Sequence, residues 1–362
     1  MIAPRHLIAT LLAALGLTAM ATPARAHDQP LSDAYLALVP GRLEVSLSVH
    51  RADAARALAI AAPESLMVPA VLRRLDARLA AQLAPRLRIE ADGRLLTLVF
   101  QGSAVRAERS SIQLRFVADC PHRPGRLTVQ ARLFPEDPQH QTFVSVYDGG
   151  RLLRDDVLSA ERTTTTIFTT GPAGVLAVLA TFVPAGIHHI LIGPDHILFL
   201  IGLLLLGGGF GRVLRIATGF TLAHSITLAL AALGLVTPPA RLIEPAIALS
   251  VALVGLDHLR AGSRRRDRRA LIAFAFGLVH GFGFAGVLRE LGLPREALGW
   301  SLFAFNLGVE SGQALIIAAV LPLLALVRAS APRLAPRVIA AGSWGVVLTG
   351  GFWFVQRLVA PL

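Results

Sequence analysis

Cysteine is almost absent from this 362-residue chain, and lysine is missing altogether. Cys120 is the single cysteine, and every basic residue is an arginine. One cysteine cannot form an intramolecular disulfide, so no disulfide framework holds the chain. A Walker A loop needs a lysine against the nucleotide phosphates, so we expect no such loop and no ATP hydrolysis.

Methionine is also scarce, which bears on metal chemistry. The three methionines are Met1, Met20 and Met67, so the second half of the chain has neither a thioether nor a thiol. Copper(I) transport normally depends on soft sulfur ligands, and it is therefore disfavoured. A metal handled in that half must be held by nitrogen and oxygen.

Apolar residues are abundant. They make up 54% of the chain, and the mean hydropathy is +0.61. The excess lies after about Gly171, which indicates a membrane protein with an attached polar domain. The formal net charge of +12 could indicate nucleic-acid binding. Many arginines lie in short loops between apolar runs, as membrane topology requires, so nucleic acid is not an expected partner.

The N-terminus carries the features of a secretory signal. Residues 1–26 combine a basic start, an apolar run and small residues at a cleavage site, and are predicted to be a signal peptide. The alternative is an uncleaved membrane anchor. Cleavage after Ala26 would make His27 the first residue of the mature chain.

Residues 27–160 are predicted to form a periplasmic, β-sandwich-like domain, because apolar strand patterns alternate with Gly, Pro and Asp. Strands are predicted at residues 43–49, 94–100, 111–117, 126–134 and 142–147, and a helix at residues 65–84. Residues 148–166 are interpreted as a polar tether. Three histidines of this domain, His50, His122 and His140, lack ligand spacing and are expected at the surface.

The rest of the chain is predicted to be a polytopic α-helical membrane bundle. Residues 161–193 would form a tether and an interfacial or re-entrant helix, and residues 194–362 the transmembrane bundle. Six spans are predicted, at about 194–209, 212–236, 240–260, 270–290, 297–327 and 338–358. Arginine-rich loops at 260–269 and 328–337 are predicted to be cytoplasmic. The bundle would then lie in the inner membrane, with the N-terminal domain in the periplasm.

Ionisable side chains gather around a helix break at Gly193-Pro194. His188 and His189 precede the break, and Asp195 and His196 follow it at the start of a long apolar run. Proline suits the first position of a helix, so a new helix is predicted to begin there. Ionisable groups beside a membrane segment are costly and usually functional, and a broken helix that carries them indicates a cation site.

Further polar residues lie inside the later spans. His224 is expected near mid-membrane, and so is His280, which lies between two glycines. Asn306, Glu310 and Gln313 share one helical face. The predicted metal ligands are therefore His188, His189, Asp195, His196, His224, His280, Asn306 and Glu310. Each could instead be a structural residue that hydrogen-bonds a neighbouring helix. Imidazole with carboxylate suits Ni(II), Co(II), Zn(II) or Cu(II).

Four motifs resemble the HupE/UreJ family of membrane proteins. They are His189-x5-Asp195-His196, GFTLAHSITL at 219–228, FGLVHGFGFA at 276–285 and FNLGVESGQ at 305–313. The resemblance implies nickel uptake, or in some members cobalt uptake, for hydrogenase and urease maturation, by a transporter without its own ATPase. It maps His189, Asp195 and His196 onto the family's histidine-aspartate motif. Ile190 stands where shorter members have proline, and those members lack the exported β domain.

The leading hypothesis is a divalent transition-metal permease of the nickel and cobalt class, moving the ion from periplasm to cytoplasm without ATP hydrolysis. One alternative is a non-transporting metal sensor or a membrane protein of metalloenzyme assembly, and a second is a metal-dependent membrane enzyme. We expect no enzyme activity and no prosthetic group. The expected partners are the lipid bilayer, the metal ion and a periplasmic or metallocentre-assembly protein. The oligomeric state is left open.

Overall fold

The computed structural model describes residues 31–260, 269–283 and 295–359. The predicted signal peptide, His27 and most of the first arginine-rich loop lie outside these residues. The described chain begins with a β-rich domain and continues into a helical bundle.

Ten strands form two sheets in the described part of the β domain. The larger sheet has the order β5-β6-β2-β1-β8-β9 and the smaller one β10-β7-β3-β4. The strands are β1 (Leu31–Val39), β2 (Arg42–His50), β3 (Leu87–Ala91), β4 (Arg94–Leu95), β5 (Val99–Arg106), β6 (Ser111–Asp119), β7 (Arg126–Ala131), β8 (Gln141–Asp148), β9 (Arg151–Leu158) and β10 (Thr164–Phe168). Two helices, α1 (Arg51–Leu58) and α2 (Pro69–Leu83), complete the domain.

Alternation of apolar and polar residues explains the larger sheet. In β1 and β2 every second side chain is buried, as period-two strands with one covered face require. Leu36 and Val45 of this sheet share one core cluster with Ile89 and Val129 of the smaller sheet. The two sheets therefore stabilise one another by burying apolar surface. The sandwich-like arrangement itself stays a prediction.

Two predictions for this domain need correction. The expected tether forms two strands: β9 pairs with β8, and β10 pairs with β7. The strand β9 was not predicted because its sequence is polar. Its partly buried Asp156 is tolerated because the carboxylate accepts hydrogen bonds from Arg154, Arg162 and Thr165. The strand expected at 94–100 is divided, because the chain passes from the smaller sheet to the larger one.

His140 is not at the surface. It is buried against Phe134, and its Nδ1 lies 3.9 Å from a carboxylate oxygen of buried Asp53. Burial lowers the pKa of His140 below its ordinary value of 6.5, although Asp53 opposes the shift. No local sequence pattern indicates this burial, because Asp53 and His140 are remote in the chain and meet only in the folded domain.

The lowered pKa predicts a pH dependence of stability. As pH falls below 6.5, the unfolded chain binds a proton at His140 that the folded domain does not, so stability is lost. The limit is about 1.4 kcal/mol per pH unit. Both tyrosines, Tyr35 and Tyr147, lie in this domain. Urea unfolding of the fluorotyrosine-labelled full chain, followed by ¹⁹F NMR, therefore reports on it alone.

The variant His140→Leu removes the imidazole and is expected to flatten this profile between pH 7 and 5.5. Asp53 has the opposite effect on stability. Burial raises its pKa above the ordinary 3.8, so the folded domain keeps this proton to a higher pH than the unfolded chain, and stability falls as pH rises through that range. Parallel profiles for wild type and variant would contradict the prediction.

Seven helices follow in the described residues. They are α3 (Pro172–Ile192), α4 (Pro194–Leu205), α5 (Phe210–Ala232), α6 (Ala240–Arg260), α7 (Arg269–Gly283), α8 (Arg295–Ser330) and α9 (Ala335–Val359). By length and composition α3, α5, α8 and α9 could each cross a membrane, while α4 and α7 are shorter apolar helices. The described helices thus support a membrane protein, but the predicted number of six spans is not confirmed.

Glycines let the helices pack in close pairs. A Cβ on Gly186 of α3 would lie 2.1 Å from the backbone oxygen of Phe305 in α8, and one on Gly277 of α7 would lie 2.4 Å from that of Phe220 in α5. Gly350 of α9 approaches the backbone at Ala252 of α6 in the same way. Small residues at such crossings permit backbone contact, as in other membrane helix pairs.

The helices α3 and α4 pack along the long helix α8, α3 against its earlier part and α4 against its later part. Gly308 of α8 lies beside Val183 of α3, and further along α8 Ile317 packs with Leu204 of α4. The separate interfacial helix predicted before Pro194 is therefore not confirmed, because α3 is itself a 21-residue apolar helix. The span expected from 194 to 209 is also too long, since α4 ends at Leu205.

Two arginines donate hydrogen bonds to carbonyl groups at the C-terminal end of α4. Arg269 donates to the carbonyl of Gly207 at 2.6 Å, and Arg328 donates to that of Leu205 at 3.1 Å. The last carbonyls of a helix have no partners within it and carry its partial negative charge, so cations stabilise them. The ends of α4 and α8 and the start of α7 therefore meet at one basic end of the bundle.

Candidate metal centre

The break between α3 and α4 creates the site. Gly193 is extended, with φ −78° and ψ 101°, and Pro194 begins the next helix. The backbone stays paired across the break, because Gly193 N–H donates to the His189 carbonyl at 3.0 Å and Ile197 N–H donates to Gly193 at 3.1 Å. The last turn of α3 and the first turn of α4 can therefore point side chains at one another inside an apolar bundle.

Three histidines converge here. One ring nitrogen from each of His189, His196 and His224 lies within 4.8 Å of the others. The ring centroids are 4.8 Å apart for His189 and His196, and 6.4 Å apart for His196 and His224. Ligand nitrogens around a tetrahedral ion are about 3.4 Å apart, given bonds of about 2.1 Å. Binding therefore requires the ring nitrogens to approach one another by up to about 1.4 Å.

His280 lies beside this trio, and Ser250 fixes its orientation. The centroid of the His280 ring is 5.2 Å from that of His196. Its Nε2 is 2.8 Å from Ser250 Oγ, whose one proton goes to the Ile247 carbonyl at 2.6 Å. With its proton on that carbonyl, Ser250 accepts a hydrogen bond from His280 in the tautomer that carries the proton on Nε2. The Nδ1 lone pair remains available to a metal.

Aromatic rings lie against the site, which has buried nitrogen atoms without hydrogen-bond partners. Among the residues that the structure describes, both ring nitrogens of His196 and Nδ1 of His280 are buried without a hydrogen-bond partner. A small cavity of about 10 Å³ is lined by His196, Phe199 and Phe220. Buried polar atoms without partners are costly, and a bound cation would satisfy them.

The predicted carboxylates do not join the histidine group. Asp195 forms an ion pair with Arg357, whose Nη2 lies 3.2 and 3.0 Å from the two carboxylate oxygens. Glu310 instead accepts a hydrogen bond from Thr218, in the contact between α5 and α8. Both remain predicted ligands, yet each would have to leave its present partner to bind a metal.

Two other predicted residues also differ from the central histidines. His188 is exposed on α3, on a different side from its neighbour His189. Asn306 donates to the Leu302 carbonyl at 2.8 Å and lies close enough to interact with His224. The structure therefore brings His189, His196, His224 and His280 together, with Asn306 at their edge.

Sequence reasoning missed Ser250 and Arg357. Ser250 is one small polar residue in an apolar run, and Arg357 stands at the end of the last helix, where an arginine normally meets the membrane surface. Neither pattern signals a partner more than 25 residues away. Only the packing of α6 on α7 and of α9 on α4 reveals their contacts.

Gly193 cannot carry a side chain without disturbing this site. A Cβ there would lie 2.8 Å from Nδ1 of His196 and 2.9 Å from the His189 carbonyl. We expect Gly193→Ala to weaken Co(II) binding about tenfold or more, because it displaces a ligand ring or opens the break. Titration of the purified protein, followed by Co(II) absorption, measures this. Gly219→Ala is the control, since a Cβ there meets nothing within 4 Å. Equal affinities for the two variants would contradict the prediction.

Comparison with known proteins agrees with the motifs. No curated protein matches the chain at a significant level. The family model described as HupE / UreJ protein matches residues 165–357, which contain every helix from α3 to α8 and nearly all of α9. The match therefore includes all four converging histidines, together with Ser250 and Arg357. This is a family of membrane metal-transport or accessory proteins, associated with nickel and cobalt uptake or urease maturation. With more than half of its length matched and a histidine centre at its helix break, the chain belongs to the HupE/UreJ family.

Proposed function

We propose that the protein is a permease for divalent transition metals of the nickel and cobalt class, moving the ion from periplasm to cytoplasm without ATP hydrolysis. The observation that carries this proposal is the convergence of His189, His196 and His224 across a helix break within an apolar bundle. Transporters recurrently bind ions where a membrane helix is interrupted, because the break frees side chains and backbone groups to face the ion.

The donor set favours borderline metals. Neutral imidazole binds Ni(II), Co(II), Zn(II) and Cu(II), whereas Mg(II) prefers oxygen ligands and Cu(I) prefers sulfur. The helical part of the chain contains neither cysteine nor methionine. Family membership favours nickel and cobalt among the remaining metals.

Polar contacts between α5 and α8 support a path beyond the histidines. Thr221 donates to Gln313 at 3.0 Å, and Thr218 donates to Glu310. Together with Asn306 these residues would offer oxygen ligands to an ion along the contact between α5 and α8. We infer that His189 and His196 receive the ion, His224 and His280 complete its ligands, and Asn306 and Glu310 relay it.

Orientation and driving force follow from charge. The arginines at one end of the bundle indicate the cytoplasmic side of the inner membrane, and the β domain would then lie in the periplasm. An inward-negative potential of 100 mV favours entry of a divalent ion by about 4.6 kcal/mol, at about 2.3 kcal/mol per charge. Such a gradient can drive uptake without a nucleotide.

Metal accumulation in cells tests the proposal. Cells making the protein should accumulate radioactive nickel or cobalt faster than matched cells without it, and collapse of the membrane potential should slow this uptake. His196→Ala should abolish the difference. Accumulation unaffected by this substitution would remove the histidine centre from the proposal. Metal binding without accumulation would favour the alternative, a sensor or assembly protein.

A further inference from the structure

Arg357 joins three helices next to the metal centre. Besides its ion pair with Asp195 of α4, it donates through Nη1 to the Glu244 carbonyl of α6 at 3.2 Å. Its guanidinium also lies 5.8 Å from the centroid of the Trp353 ring on its own helix. The side chain is 24% exposed and that of Asp195 is 17% exposed, so water screens the pair only partly.

The charge of Arg357 acts on the histidine centre. Asp195 directly precedes His196 in the first turn of α4, and Arg357 lies within electrostatic range of His280. A fixed cation opposes a second cation nearby, and the opposition is stronger in an apolar surrounding than in water. The carboxylate of Asp195, the residue before His196, is therefore already neutralised by a group that itself repels metal ions.

We propose that Arg357 is an internal competitor for Asp195, which an incoming divalent cation must displace. This inference rests on the proposed function, because it concerns the ion held by His189, His196 and His224. Displacement moves the guanidinium away and leaves the carboxylate to neutralise the bound metal. A monovalent cation would only exchange one unit charge for another, whereas a divalent cation gains in charge. Arg357 thereby sets affinity and favours divalent ions.

A purely structural role makes the opposite prediction. If Arg357 serves only to hold α4, α6 and α9 together, its removal loosens the centre, and metal affinity falls or stays the same. If Arg357 competes with the metal, its removal raises affinity. The sign of the change therefore separates the two roles, whatever happens to thermal stability.

Equilibrium titration of the purified full-length protein with Co(II) is the test. We expect Arg357→Gln to bind at least tenfold more tightly than wild type, because the competing charge is gone. Arg357→Lys keeps the charge and should show only a small part of the gain. Arg337→Gln removes an exposed arginine from the opposite end of α9 and should leave affinity unchanged.

A second pair of variants tests competition for the carboxylate itself. In the Asp195→Asn background no carboxylate is left to release and only the direct repulsion by Arg357 is removed, so the gain from Arg357→Gln should shrink below threefold. Unchanged or weaker binding by Arg357→Gln, or a full gain without Asp195, overturns the inference while the permease proposal stands. Failure of the wild-type protein to bind Co(II) at all would instead sink the proposed function and this inference with it.

Discussion

Replacing His224 with alanine is expected to weaken Co(II) binding at least a hundredfold, which corresponds to about 2.7 kcal/mol. His224 is 1% exposed and provides the ligand nitrogen that α5 contributes to the converging group. Without it the ion keeps at most the imidazoles of His189, His196 and His280 and loses the ligand from α5. Neither the apolar wall nor a small cavity can supply the missing ligand.

The intensity and position of the Co(II) absorption bands, followed during titration, measure this effect. Because His224→Ala leaves a cavity, His224→Phe provides a variant that fills the volume without a nitrogen donor. Both should lose binding while melting near the wild-type temperature. His122→Ala, which removes an exposed imidazole from the β domain, is the control and should bind as wild type does. Retention of tight binding by both His224 variants would exclude this ligand.

The second large effect is expected at Ser250, although this residue would not touch the metal. Ser250→Ala removes the acceptor that holds the proton of His280 on Nε2. The imidazole can then adopt the other tautomer, with its proton on Nδ1, or turn away. Loss of such an orienting hydrogen bond typically costs 10- to 100-fold in metal affinity. We expect a loss of about tenfold for Co(II).

A double-mutant cycle shows whether Ser250 acts through His280. In the His280→Ala background, Ser250→Ala should cause no further loss, because there is no imidazole left to orient. ¹⁵N NMR of labelled histidine should show protonation at Nε2 in the metal-free wild type and a tautomer mixture in Ser250→Ala. Ser343→Ala is the control, since Ser343 is equally buried and donates to a helix carbonyl without contacting a histidine. Additive losses at Ser250 and His280 would mean that the serine acts elsewhere.

Sequence reasoning located the candidate ligands better than it predicted their contacts. His189 and His196 were singled out because they flank a Gly-Pro break, and His224 and His280 because histidines within apolar runs are rare. These four are the histidines that converge. Asp195 met the same criteria, but it pairs with Arg357, 162 residues further along the chain. No local pattern reveals that pairing.

The β domain illustrates the same limit. The alternation of apolar and polar residues predicted β2, β6 and β8, because every second side chain of a half-buried strand faces the core. It missed β9, where charged side chains compensate one another, and it missed the burial of His140, which depends on Asp53 from another element. Periodicity reports which face of an element is covered. It does not report what covers that face.

The sequence by itself determined the chemistry that the protein can use: nitrogen and oxygen donors without sulfur in the helical part, a helix break among histidines, and an apolar run on either side of it. Only the tertiary structure decided which donors meet. Residues of one helix share a face because the helix repeat is fixed, whereas contact between α4, α5, α7 and α9 depends on how closely their glycines let the backbones approach. That packing gathers four histidines and assigns Asp195 to an arginine.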